Sequence, residues 1–315
     1  MRQRIPGICF WLSVWFTACA QDRAVAQPYV LDDPALTAGS GQAGCPIRYT
    51  LRHFAGDAPG HETGVTRFEL FIPLMEMDAS SLLFCDLQPL IDNDGNWGSN
   101  LGLGFRWYST TFDRVFGAYG YFDYRETSYH RFQQGTFGFD SLGNWIDARA
   151  NFYLPGQEQM ELPAHAVKAP HFQGNSLRYG GFETAMLGGD FELGVRVPVI
   201  MGTQSRLLAG VYRFDGNGEE DVTGWKARIE TNWTANLSTD VALYDDDVFG
   251  TTVMVGIGFN IQAESFSPWA PQIHSFRRGP LRHVTNMAAD RIAEPTYRQP
   301  SIAIRQGEYR ATTGE

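Results

Sequence analysis

The chain has 315 residues, a formal net charge of −10 and 34 glycines, with 43% hydrophobic, 14% aromatic and only 19% charged residues. An ordinary soluble domain carries about 25% charged residues, and an acidic chain lacks the basic face that nucleic acid requires. After the N-terminus no uninterrupted apolar run reaches the roughly 20 residues of a membrane helix. A membrane-embedded chain of this composition must therefore cross with strands.

The N-terminus reads as an export signal. Arg2 and Arg4 form a positive start, residues 8–18 a short apolar core, and Ala24-Val25-Ala26 a small-x-small cleavage site before Gln27. Phe16-Thr17-Ala18-Cys19 resembles a lipoprotein box, but Phe is a poor first residue for one, so cleavage after Ala26 is preferred. Either reading takes the chain out of the cytoplasm, and the apolar core is too short for a spanning anchor. Residues 27–45, rich in Pro, Gly, Ala and Asp, are expected to form an extended periplasmic segment.

Residues 46–261 carry a period-two pattern, which places alternate side chains on opposite faces of a strand. Twelve strands are expected, at 46–54, 66–76, 80–90, 97–109, 115–125, 131–139, 145–154, 190–199, 205–214, 222–233, 236–245 and 251–261. Phe68, Leu70, Ile72 and Leu74 share one face of the second. Leu101, Leu103, Phe105 and Trp107 do so in the fourth, opposite Gly102, Gly104, Arg106 and Tyr108. In the seventh, Ile146, Ala148, Ala150, Phe152 and Leu154 oppose Trp145, Asp147, Arg149, Asn151 and Tyr153. Residues 155–188 read as one large loop. Asp92-Asn93-Asp94-Gly95 reads as a tight turn, since it lacks the further acidic ligands of a calcium loop.

The pattern predicts an all-β fold, a closed antiparallel transmembrane barrel of about twelve strands with an apolar outside and a polar, Gly-rich lumen. Arg106, Asp123, Asp147, Arg149, Glu192, Arg196, Arg228, Glu230 and Asp240 fall opposite the apolar rows and are the expected lumen-lining residues. On the lipid side each cation would cost about 2–4 kcal/mol at the midplane. A soluble β-sandwich or barrel is the alternative, and its apolar rows would have to fill an interior. Trp97, Trp107, Trp145, Trp225, Trp233 and Phe259 recur near strand ends, as in interfacial aromatic girdles. Gly256-Ile257-Gly258-Phe259-Asn260-Ile261 has the spacing of the closing strand of outer-membrane barrels, the strand expected to engage the barrel-assembly machinery.

Four cysteines are present. Cys9 and Cys19 lie in the signal; Cys45 and Cys85 could pair in an oxidising compartment. Cys85, however, alternates with Leu83 and Leu87, which points it to lipid, so two unpaired thiols are expected. No Cys/His spacing suits zinc. The histidines, His53, His61, His130, His165, His171, His274 and His283, are scattered, and no local motif supplies a Ser/His/acid set. His171 with Asp190 or His165 is the best candidate set, and the plainer reading is polar loop residues. No enzyme, cofactor or metal is expected.

The segments Phe68-Glu-Leu-Phe-Ile-Pro-Leu74, Asn100-Leu-Gly-Leu-Gly-Phe-Arg-Trp107, Val115-Phe-Gly-Ala-Tyr-Gly-Tyr-Phe-Asp-Tyr124 and Ala148-Arg-Ala-Asn-Phe-Tyr-Leu-Pro155 carry a resemblance when taken in this order. Asp290-Arg-Ile-Ala-Glu-Pro-Thr-Tyr-Arg298 and Ser301-Ile-Ala-Ile304 extend it. Together they resemble the β-domain of the inverse autotransporters, the intimin/invasin family, over residues 47–304. The resemblance implies a twelve-stranded outer-membrane barrel whose C-terminal linker runs through the lumen and delivers a passenger, often an adhesin, to the cell surface. The sequence reaches Glu315 shortly after that linker, so a barrel without an immunoglobulin-like passenger is expected, and no peptidoglycan-binding module is recognisable before it. The function expected is export or display of the C-terminal segment, with outer-membrane lipid as partner and the surface ligand unspecified. The alternative is a porin-like channel or a structural barrel.

The tail, 262–315, decides between them. Pro268, Pro271 and Pro280 disfavour a regular helix or central strand. Residues 262–298 are expected to line the barrel interior, with Arg277, Arg278 and Arg282 meeting Glu192, Glu230 and Asp240. Residues 287–292 read as a short helical turn and 301–304 as a strand seed. Were the tail periplasmic, its arginines, Arg291 and Arg298 included, would face other envelope components.

Overall fold

A computed structural model describes residues 47–78, 80–156, 159–197, 204–216, 220–234, 236–263 and 288–312. The export signal, the segment 27–45, Cys9, Cys19, Cys45, His274, His283 and the arginines Arg277, Arg278 and Arg282 lie outside the described residues.

Alternating sequence becomes alternating strand. In chain order the first seven strands are β1 (Ile47–Gly56), β2 (Val65–Asp78), β3 (Ser81–Asp92), β4 (Trp97–Ser109), β5 (Arg114–Glu126), β6 (Arg131–Gly143) and β7 (Ile146–Pro155). Three shorter or off-barrel strands follow: β8 (Gln159–Glu161), β9 (His171–Gln173) and β10 (Ser176–Ala185). Next come β11 (Gly188–Val197), β12 (Gln204–Phe214), β13 (Val222–Asn232), β14 (Leu237–Asp246) and β15 (Gly250–Ala263), and finally β16 (Ile304–Thr312). Strands β1–β7 and β11–β15 form a closed, wholly antiparallel barrel of twelve strands. Closure is made by β1 on β15, in register from Ile47↔Ala263 to Gly56↔Met254. Each expected strand forms, within a few residues of its expected limits.

The barrel exposes its apolar side chains and buries its polar ones, the reverse of a soluble domain. Leu101, Leu103, Ile146, Phe152, Leu193 and Val195 are all about half exposed, as is expected of side chains lying flat on a surface that lipid covers. Arg106, Asp123 and Asp147 are wholly buried on the other face. Cys85 is a free thiol on the outward row with Leu83 and Leu87.

Three features depart from the sequence reading. Trp145 is not on the inner face of the seventh strand; it sits in the turn before β7 and is 62% exposed. The loop 155–188 is not irregular. It folds into a second sheet in which β10 pairs with β8 and β9 on one side and with β16 on the other. The lumen is also not uniformly polar. Phe71, Leu82, Phe84, Tyr119 and Tyr121 form a buried apolar cluster inside it. Room for the rings comes from cross-strand glycines. Phe84 faces Gly104 and Tyr121 faces Gly102 in register, and a Cβ on either glycine would lie 2.2 Å from the ring.

The strands define two ends. Residues 47 and 263 lie at one end, with the connections 79–80, 110–113, 144–145 and 233–236. The other end carries 57–64, 156–187 and 215–221, with the tight turns 93–96, 127–130 and 247–249. Asp92 shapes one of these turns. It accepts hydrogen bonds from the Asp94 and Asn96 amides at 3.0 and 2.8 Å, and from Asn96 Nδ2 at 2.9 Å. Its oxygens are thus taken by the turn itself, which accounts for the Asp/Asn cluster without a cation.

Candidate functional site

Residues 288–303 run through the lumen from the end that holds residue 263 to the opposite end. A 3-10 turn, Ala288–Arg291, begins the passage. Arg291 binds Asp147 at 2.5 and 2.9 Å and donates to the Gly143 carbonyl at 2.6 Å, all near the first end. Arg48 donates to the Ala293 carbonyl, and Arg106 to those of Ile292 and Glu294. Ile292 and Ala293 fill the apolar cluster around Phe71 and Phe84. At mid-depth Tyr121 bonds Thr296, and Asn151 donates to the Tyr297 carbonyl at 3.1 Å. Arg149 and Arg228 stack on the Tyr297 ring at 4.3 and 4.7 Å. Farther on, Arg298 pairs with Asp123 at 2.8 Å, the Gln299 amide donates to Tyr153 at 3.0 Å, and Asn100 donates to the Pro300 carbonyl at 3.3 Å.

At the far end His61 grips Ser301 with both ring nitrogens, each at 3.2 Å, one to the carbonyl and one to the hydroxyl. Burial and the neighbouring Arg125 hold the His61 pKa well below its usual value, so the ring is neutral and can accept from the hydroxyl. Arg125 donates to the carbonyls of Gly60 and Ile302 at 3.0 and 2.6 Å. The chain then leaves the lumen as β16 and joins β10 from Ala185↔Ile304 to Ser176↔Thr312. An extended strand has no internal partners for its backbone, and here wall side chains and then a neighbouring strand supply them.

Of the nine residues singled out from the sequence, five touch this threaded segment: Arg106, Asp123, Asp147, Arg149 and Arg228. Glu192, Arg228, Glu230 and Arg149 form one ladder on the wall. Glu192 lies 2.6 Å from Arg228, and Glu230 lies 3.0 Å from both Arg228 and Arg149. Asp240 stands 3.5 Å from Arg52. Arg196 is half-buried at the end of β11, across from Arg206 in register. The acids expected to meet tail arginines, Glu192, Glu230 and Asp240, thus hold wall cations. The two arginines of the threaded segment, Arg291 and Arg298, go to Asp147 and Asp123 instead.

The sequence reading omitted inner residues of equal standing, among them Arg48, Arg52, Arg67, Glu69, Asp86 and Asp190, all buried. The same alternation, applied to β1 to β3, finds five of them. His171 and Asp190 do not come together. His171 is exposed, 3.3 Å from the Ala169 carbonyl and 3.8 Å from Glu308, whereas Asp190 binds Tyr153, Asn151 and Lys226 in the lumen. Among the described residues no cluster of His, Cys, Asp and Glu is arranged to hold a metal ion.

Buried ion pairs gain little net stability, because desolvation offsets attraction, but losing one partner costs about 3–5 kcal/mol. The network therefore fixes which tail residue sits opposite which wall residue more than it adds to total stability.

The family described as "Inverse autotransporter, beta-domain" matches residues 57–277. No curated protein matches the chain. Among solved structures, one described as "Unveiling the Mechanism Behind the in-meso Crystallization of Membrane Proteins" is 10% identical, covers 82% of this chain and 100% of its own, and superposes with a TM-score of 0.58. That likeness shows the fold. The KdgM porin (10% identity, 70% of this chain, 100% of its own, TM-score 0.41) and the translocator domain of autotransporter NalP from Neisseria meningitidis (14%, 71%, 92%, TM-score 0.34) are more distant.

Proposed function

We propose, for a chain that belongs to the inverse autotransporter β-domain family and lies in the outer membrane, that the barrel carries its own C-terminal segment through its lumen and displays it at the cell surface. One observation carries this reading. The chain leaves β15 at one end, passes through the lumen as 288–303, and docks as β16 on the sheet at the other end. Long connections belong outside and short turns in the periplasm. The end with 156–187 and 215–221 is then the cell surface, and residues 47 and 263 are periplasmic. In the same reading residues 1–26 direct export, 46–261 form the barrel, and the barrel-assembly machinery engages β15 through Gly256–Ile261. The work done is transport and display, not catalysis.

The test is an epitope appended at Glu315. On intact cells it should be reached by antibody, and deletion of 288–315 should raise single-channel conductance in planar bilayers while the barrel stays heat-modifiable. An epitope hidden until the outer membrane is opened, with conductance unchanged by the deletion, would replace this reading with a porin-like or structural barrel.

A further inference from the structure

We propose that the lumen holds a small inorganic anion of chloride size, bound between the wall and the threaded segment by Arg52, Arg67 and Arg298. The site is a cavity of about 30 Å³ whose lining includes five cations, Arg52, Arg67, Lys226, Arg228 and Arg298, and two carboxylates, Glu192 and Asp240. Both carboxylates are engaged. Glu192 holds Lys226 at 3.1 Å and Arg228 at 2.6 Å, and Asp240 faces Arg52 at 3.5 Å. Arg298 is held by Asp123 at 2.8 Å.

Arg67 is left over. It is only 5% exposed, and its Nε–H is buried without an acceptor among the described residues. The carboxylate oxygen within ion-pair range is Glu69 Oε2 at 3.9 Å, and the other Glu69 oxygen already binds Arg48 at 3.1 Å. A guanidinium cannot shed its proton and can only donate. A buried one without acceptors keeps its full desolvation cost.

Arg67 is not alone in this. The Nε–H groups of Arg52, Arg67, Arg228 and Arg298 are all buried without an acceptor among the described residues. Against these four donors the lining has one orphaned acceptor, Gln299 Oε1, so the missing partner must mainly accept. A water could donate to Gln299 Oε1, but its second proton would have to go to a carboxylate that already holds a cation, and it would bring no charge to a lining of five cations and two acids. A monoatomic anion accepts from all sides and adds the negative charge that the lining lacks. Size narrows the class further. A water needs about 10–15 Å³ of such space, so 30 Å³ admits one or two particles of that size and excludes phosphate or an organic acid. The ion would tie Arg298 of the thread to Arg52 and Arg67 of the wall, replacing repulsion between three cations with a shared counter-charge.

The test uses the full chain in detergent and does not depend on what the thread delivers. Crystals grown with bromide in place of chloride should show an anomalous peak in this cavity. The thermal midpoint for loss of heat-modifiable migration should rise from sodium gluconate to sodium chloride at equal ionic strength, and Arg67→Met should lose both the peak and the chloride-dependent rise. No bromide peak in the wild-type cavity overturns the proposal. So does a peak that persists in Arg67→Met. Should that variant fail to fold, the wild-type bromide map alone decides.

Discussion

Replacing Asp147 by Asn measures how firmly the thread is held. Asp147 is wholly buried, and its oxygens hold Arg291 at 2.5 and 2.9 Å and Arg206 at 3.0 Å, with Arg149 3.8 Å away. Asn keeps the shape and removes the charge, leaving three arginines facing one another. Removing one partner of a buried pair costs about 3–5 kcal/mol. Most molecules should keep the thread, because Arg298–Asp123 and the carbonyls of 292–302 hold it elsewhere. The population with 288–294 displaced should rise about a hundred- to a few-thousand-fold, at tenfold per 1.4 kcal/mol. Single-channel recording reads this as a proportionate rise in brief openings. Arg291→Gln should do less, because Asp147 keeps Arg206. The double variant should fall well short of the product of the two single effects. If Asp147→Asn folds and opens no more often than wild type, or if the two effects simply multiply, the ion pair does not hold the thread.

Three further outcomes are expected. Leu193→Arg puts a charge on the lipid face at a cost of about 2–4 kcal/mol and should sharply lower the heat-modifiable fraction in a membrane-assembly assay, whereas Leu193→Met should not. Gly194→Arg is a poor contrast, because a Cβ there already lies 3.1 Å from Leu208. Gly104→Ala would push a methyl to 2.2 Å from the wholly buried Phe84 ring. It should cost about 1–3 kcal/mol, seen as a lower thermal midpoint that Phe84→Leu partly restores. His61 has its pKa depressed by burial and by Arg125, so the unfolded chain takes up the proton first. Its contribution is whole above the unfolded value near 6.5 and is lost as pH falls through the folded one. Below about pH 6.5 residues 304–312 should become more open to protease, and His61→Gln should remove that pH dependence; equal dependence in both proteins would show that the grip on Ser301 is irrelevant.

The barrel was readable because lipid imposes a strict rule on every strand. Leu101-Gly-Leu-Gly-Phe105 cannot turn its leucines inward without turning Asn100 and Arg106 to lipid, so the pattern declares both strand and side. No such rule governs β8, β9 or β10. β8 and β9 are only three residues long, all three lie off the barrel wall, and β10 is completed by β16, which arrives from about 130 positions away in sequence, Arg178 pairing with Arg310. The inner apolar cluster was missed for a related reason. Phe71 and Leu82 lie on inward rows, and what favours apolar side chains there is Ile292 and Ala293 packed against them, a contact distant in sequence. The partners of Arg291 and Arg298 were also illegible, since a charge in a sequence names its sign but not its neighbour. Glu192 looked as available as Asp147 until Lys226 and Arg228 were seen to occupy it.

The pairing of β1 with β15 makes the barrel a ring, and residues 288–303 pass through a ring formed by their own chain. The molecule is a lasso, and its geometry orders events. Either the thread is laid across the open sheet before the last seam closes, or it slides through afterwards as a narrow strand. Sideways escape would mean unzipping the seam from Ile47↔Ala263 to Gly56↔Met254. Lengthwise retreat would mean stripping β16 from β10 and drawing it back past His61 and Arg125. Any domain wider than the lumen that folded beyond residue 312 would act as a stopper, so tension applied to it would be borne by the hydrogen-bonded ring rather than by the ion pairs along the thread.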